Sequence, residues 1–95
     1  MPFQLIYSNK ARAEIKSLRA FDRQRIMTAI ETHLRHQPAI ASRSRIKKLT
    51  QPFWSQYRLR VGGYRVYFDV DETSATVDIL HVVHKASDTT LEEEP

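Results

Sequence analysis

Residues 56–70, QYRLRVGGYRVYFDV, alternate apolar and polar side chains on both sides of a Gly62-Gly63 break. A period of two interrupted by one glycine pair specifies a β-hairpin with a two-residue turn, because glycine accepts the positive φ that such a turn needs. Tyr57, Leu59 and Val61 then share a face with Val66, Phe68 and Val70. The opposite face is left to Gln56, Arg58, Arg60, Arg65 and Tyr67. The apolar face has to be covered by another layer, and a chain of 95 residues and 11.1 kDa has room for one such core, so residues 1–95 are read as a single domain.

The covering layer is legible upstream. FQLIY (3–7) suits a strand and Ser8 an N-cap. Ala11, Ile15 and Leu18 step by three and four, as one helix face does. A second helix is predicted from Asp22, with Ile26, Met27, Ile30 and Leu34 as its apolar stripe and Pro38 as its end. HQPAIASRSRIKKLTQPF is a long connection with a short strand around Ile46 to Leu49. After DETSA, TVDILHVVHK supplies a further strand, with Val77, Ile79, His81, Val83 and Lys85 on one face and Leu80, Val82 and His84 on the other. Both faces are partly apolar, which places this strand centrally. The polar, acidic ending reads as a frayed tail over 88–95. The expected fold class is α+β: a small single domain ordered β-α-α-β-β-β, with a twisted antiparallel sheet and two helices packed on one face.

Charge is distributed as unevenly as hydropathy. Residues 10–65 carry fourteen Lys and Arg against Glu14, Asp22 and Glu31, whereas residues 66–95 carry Lys85 against eight carboxylates. From Arg43 to Arg65 there are seven basic residues and no acidic one, the footprint of a polyanion site. Other chemistries are disfavoured. The chain has no cysteine, no carboxylate pair in its basic region and no supporting acidic ligand beside its histidines, so neither metal nor any other cofactor is expected. Gly62-Gly63 belongs to a turn rather than to a phosphate loop. No apolar run is long enough to span a bilayer, and MPFQLIYSNK lacks the apolar core of a signal peptide, so the expectation is a cytoplasmic protein with no membrane contact.

Alternating guanidinium groups on paired strands suit a row of phosphates. Tyr67, with Trp54 at the edge, offers a surface for an unstacked base. His81 and His84, followed by Lys85, are candidates for proton transfer and charge neutralisation at a phosphodiester. His33 and His36 close a helix, where imidazole suits the dipole, and are read as structural.

RIKKL before the hairpin, YRLRVGGYRVYFDV within it and ILHVVHK after it resemble the RelE/ParE superfamily of bacterial type II toxins, over nearly the whole chain. The resemblance is strongest to the RelE branch. It implies a ribosome-dependent mRNA endoribonuclease, or mRNA interferase, that cuts A-site codons without metal by attack of the ribose 2′-oxygen on the adjacent phosphate, inhibiting translation. The partners it implies are the ribosome and mRNA, a cognate antitoxin, and operator DNA only through the antitoxin complex. On this resemblance Arg65 stabilises the transition state, Arg58 holds the phosphate, and Lys85 faces the scissile phosphate or the leaving oxygen. Lys47 and Lys48, with Arg45, Arg60, Gln56 and Tyr67 around them, grip RNA or the ribosome. Gln56 stands where some members have lysine, and SDTTLEEEP offers no aromatic where some have tyrosine, leaving His81 or His84 as the substitute proton carrier. The alternatives are a ParE-like, non-enzymatic inhibitor of DNA gyrase on the same fold, and a basic RNA-binding module.

Overall fold

The computed structural model describes residues 2–36, 38, 45–50 and 55–88; Trp54 and the acidic segment 89–95 lie outside them. The hairpin pairs β3 (Tyr57–Val61) with β4 (Tyr64–Asp71), Leu59 opposite Val66 and Arg60 opposite Arg65. Gly62 closes the turn at φ 57°, a conformation that a side chain would strain. β5 (Thr76–His84) runs antiparallel to β4, and the short β2 (Ile46–Lys48) antiparallel to β3. The turn between β4 and β5 is held by the Asp71 carboxylate, which accepts from the N–H groups of Thr73 and Ser74 at 3.0 and 3.2 Å. Those bonds, Ser74's foremost, keep its pKa below the ordinary carboxylate range.

β1 (Gln4–Tyr7) joins the other side of β5, giving the order β1-β5-β4-β3-β2. This is one strand more than the β-α-α-β-β-β order, and the β1–β5 pair is parallel, so the sheet is mixed rather than wholly antiparallel. Alternation of side chains carries no information about strand direction. A parallel neighbour needs a long connection, and here it runs from β1 through both helices and the three strands β2, β3 and β4 before reaching β5. α1 (Asn9–Lys16) begins at Ser8, whose Oγ accepts from the Ala11 N–H at 3.0 Å. α2 spans Ala20–Leu34, starting two residues before Asp22 and ending four before Pro38. Its last turn is drawn to β1: the Arg35 carbonyl accepts from the Phe3 N–H at 2.6 Å, and the Arg35 guanidinium pairs with Glu31 and donates to the Phe3 carbonyl.

The core lies between helices and sheet. Ala11, Ile15, Ile26, Ile30 and Leu34 meet Leu59, Val66, Phe68, Val77 and Ile79, all buried. Along β5 the alternation breaks once. Tyr67 is opposite His81 but Phe68 is opposite Ile79, so Leu80 is an extra residue, a β-bulge. Val77, Ile79 and Val82 therefore all belong to the core, and His81 turns away from the face that Val77 and Ile79 share.

At the far end of the same ladder Asp69 stands opposite Asp78, and its Oδ1 accepts from the Gln56 N–H at 2.7 Å. Burial raises the Asp69 pKa, the Gln56 N–H opposes the rise and Asp78 adds to it. With the folded pKa above the unfolded one, the native state is favoured below the unfolded value and loses that advantage as pH rises through the folded one. Asp69→Asn keeps an acceptor for Gln56, so it is expected to stabilise the fold at pH 7 by up to about 1 kcal/mol and to have no stabilising effect at pH 3, measured by urea unfolding at both.

Candidate anion-binding face

With helices on one side, the other face of the sheet is a grid, because cross-strand partners project to the same side. One row crosses all four strands from β2 to β5 as Lys47, Arg58, Tyr67 and His81. The next holds Arg60, Arg65 and Val83, with Arg45 alongside, its carbonyl accepting from the Arg60 N–H at 2.7 Å. Lys85 follows β5 in a single 3-10 turn (Lys85–Ser87), tied to the hairpin by its own N–H on the Gly63 carbonyl at 2.8 Å. Three of these cations come together: Arg45, Arg60 and Lys85 line, with Gly62, a depression of about 460 Å³. Three positive groups from three segments around one hollow suit a phosphate oxyanion.

Arg65 is differently placed. Its Nη1 donates to Asp88 Oδ2 at 3.1 Å, and the Tyr67 hydroxyl donates to the same oxygen at 2.5 Å. The Asp88 side chain is wholly excluded from solvent, whereas a quarter of the Arg65 side chain is exposed (25%). Burial raises the Tyr67 pKa first, and the hydrogen bond to Asp88 and its charge raise it further, while the neighbouring Arg58 opposes. Tyr67 is itself fully buried, between His81, Leu49 and Val83. It offers no free ring face to a base. The partner expected of it, Trp54, lies outside the described residues.

The two histidines part company. The His81 ring stacks on Tyr67 with centroids 5.7 Å apart, and its Nδ1 lies 2.7 Å from Glu14 Oε2. His84 is on the helix side, edge-on to Tyr64, and its Nδ1 accepts from the Ala86 N–H at 3.1 Å. There it shapes the turn carrying Lys85. Gln56 is engaged in closing the hairpin, its Oε1 accepting from the Val70 N–H at 2.7 Å. Lys47 and Lys48 are both exposed, but Lys48 pairs with Tyr57 and so leaves the grid. Among the described residues no cluster of three or more His, Asp or Glu side chains converges as a metal site, and no helix is long and apolar enough to cross a membrane.

Two residues in this arrangement escaped the sequence reading. Asp88 looked like the first residue of a tail. Glu14 looked like one of few carboxylates on a basic helix, yet it completes the sheet. β1 stops at Tyr7, so beyond Ile79 β5 lacks a strand neighbour on the edge away from β4. Ser8 Oγ donates to the Leu80 carbonyl at 3.1 Å, and Glu14 Oε1 accepts from the Val82 N–H at 2.8 Å. The faint signal for Glu14 was its place one helical turn past Ala11, on the flank facing β5.

Comparison with known proteins agrees with this architecture. Residues 5–89 match the family described as ParE toxin of type II toxin-antitoxin system, parDE. Similar solved structures include the RelBE2 toxin-antitoxin complex of Mycobacterium tuberculosis, at 24% identity and TM-score 0.72 over 88% of this chain and 99% of that one. The RelE-RelB complex of Pyrococcus horikoshii is similar at 20% identity and TM-score 0.74 over 93% and 100%. A mutant of the E. coli toxin RelE in the free state is similar at 19% identity and TM-score 0.73 over 98% and 94%. No curated protein matches.

Removing the Glu14 carboxylate leaves a strand N–H with no acceptor and frees His81. Glu14→Ala is expected to cost about 1–3 kcal/mol of stability and to speed exchange of the Val82 amide more than that of core amides, whereas Glu14→Gln, which keeps an acceptor, recovers most of both. Hydrogen exchange read by NMR checks it.

Proposed function

This chain belongs to the family of ParE toxins of type II toxin-antitoxin systems, and from that premise we propose that it is a ribosome-dependent endoribonuclease cutting mRNA in the A-site codon. The observation that carries the reading is the depression lined by Arg45, Arg60 and Lys85 beside Arg58 and Arg65. Phosphodiester cleavage by the neighbouring 2′-oxygen needs no metal. It builds negative charge on the phosphorane and then on the departing 5′-oxygen, and fixed guanidinium and ammonium groups stabilise both. Arg65 and Arg58 serve the phosphorane, Lys85 the leaving oxygen, and Lys47 with Arg45 and Arg60 the flanking phosphates. The 2′-hydroxyl proton passes to a base and the 5′-oxygen receives one. His81 is the imidazole on the grid, and the ribosome holds the message in line for attack. Such a target places the protein in the cytoplasm.

A cognate antitoxin is the partner in this reading. The M. tuberculosis and P. horikoshii relatives are complexes of toxin with antitoxin. An acidic, amphipathic segment is the chemistry that would cover this basic face, and operator DNA would be reached through that partner.

A second reading is inhibition of DNA gyrase without catalysis. The family match favours it, as does the engagement of Arg65 by Asp88 and of His81 by Glu14. Mapping of mRNA 5′ ends on programmed ribosomes separates the two. The purified protein is expected to cut within the A-site codon only when ribosomes are present, and Arg65→Ala to lower the cutting rate at least about 100-fold. Growth arrest on expression without such cuts overturns the ribonuclease reading, and loss of gyrase supercoiling would then establish the other.

A further inference from the structure

We propose that Asp88 is a resident anion: its carboxylate fills a phosphate-oxyanion site formed by Arg65 and Tyr67, and a phosphodiester binds there by displacing it. The proposal rests on the polyanion reading of the open face and adds how that face is regulated.

Burial runs against position in this part of the chain. His84, Lys85, Ala86 and Ser87 are all exposed, yet the Asp88 side chain that follows them has no solvent exposure. An ionised carboxylate stays out of water only where donors replace its hydration. Here the Arg65 guanidinium and the Tyr67 hydroxyl converge on one of its oxygens, Oδ2. Arg58, opposite Tyr67 in the next strand, is near enough to oppose the rise in the Tyr67 pKa. Donors aimed at a single anionic oxygen, with a further cation beside them, hold a phosphoryl oxygen as readily as a carboxylate oxygen.

The backbone of the occupant continues a short turn. The turn Lys85–Ser87 closes on the Asp88 N–H to Lys85 carbonyl bond, long at 3.3 Å, and leans on the Ala86 N–H to His84 Nδ1 bond at 3.1 Å. The same turn contributes Lys85 to the neighbouring depression. Withdrawing Asp88 uncovers Arg65 and removes one negative charge from beside that hollow, so one movement of a short exposed turn adds a guanidinium to a face that is already cationic. A phosphodiester, with two anionic-phosphate oxygens to offer the guanidinium fork, competes with the single carboxylate oxygen that Arg65 holds here.

The test is binding rather than cleavage. Wild type, Asp88→Asn and Asp88→Ala are titrated with inorganic tripolyphosphate by calorimetry and with a labelled eight-nucleotide RNA by fluorescence anisotropy, without ribosomes. Asp88→Asn keeps an acceptor for the Tyr67 hydroxyl while removing the charge. Both ligands are expected to bind it about fivefold to tenfold more tightly than wild type, and the slope of log affinity against log salt for RNA to steepen by about 0.7, one further phosphate contact. In an Arg65→Ala background Asp88→Asn is expected to bring no gain. Unchanged or weaker binding of both ligands overturns the proposal, the weaker case assigning Asp88 to holding Arg65 in place. Tighter tripolyphosphate with unchanged RNA keeps the resident anion and counts against RNA as its ligand. If the variants do not fold, NMR of the unaltered chain decides: tripolyphosphate must shift the Asp88 carboxyl carbon together with the Arg65 guanidinium signals, and a shift at Arg65 alone, or at neither, overturns the proposal.

Discussion

Arg60 and Arg65 face each other across β3 and β4, and like charges directly opposite on a sheet repel. Much of the structure answers that one pair. The other side of the same two strands carries Leu59, Val66 and Phe68 against α2, so a slip of one residue would bury the guanidinium groups and expose the core. The arginines are thus held in confrontation by the hydrophobic effect acting on their neighbours. An anion relieves the repulsion, and among the described residues the carboxylate of Asp88 supplies one to Arg65.

The second requirement is an edge. β5 has β1 as its neighbour only as far as Ile79; past that point the Leu80 bulge, the Ser8 hydroxyl and the Glu14 carboxylate finish what a strand would have done. Because Glu14 also approaches His81, which stacks on Tyr67, the first helix is linked to the middle of the open face through a carboxylate, an imidazole and a phenol ring. A substitution at Glu14 therefore acts on Tyr67, at the centre of the grid, through His81.

What the sequence discloses and what it hides divide along physical lines. The hairpin was legible because period-two alternation and a glycine pair are local, and the helical faces because three- and four-residue steps are local too. The parallel pairing of β1 was hidden, since alternation does not encode direction. The bulge at Leu80 was hidden because the adjacent apolar pairs on either side of His81, Ile79-Leu80 and Val82-Val83, read equally well in either phase. Tyr67 looked like an exposed platform from its place between arginines, yet Leu49 and Val83 enclose it. Asp88 is 23 positions from Arg65 and Glu14 is 68 from Val82. Such distances carry no local signal, and both residues became visible only when the fold brought them to their partners.

The parallel strand pair has a consequence for the order of assembly. Gln4 is paired with Thr76 and Ser8 with Leu80, 72 positions away, so the first strand made finds its neighbour only after nearly the whole chain exists. Closing so long a loop is entropically costly and kinetically late. The hairpin, by contrast, joins near neighbours and forms early, arginines included. A nascent chain therefore displays its basic strands before Glu14 has a Val82 amide to accept from and before Asp88 is made, and passes through an interval when its charge is exposed but its architecture is unfinished.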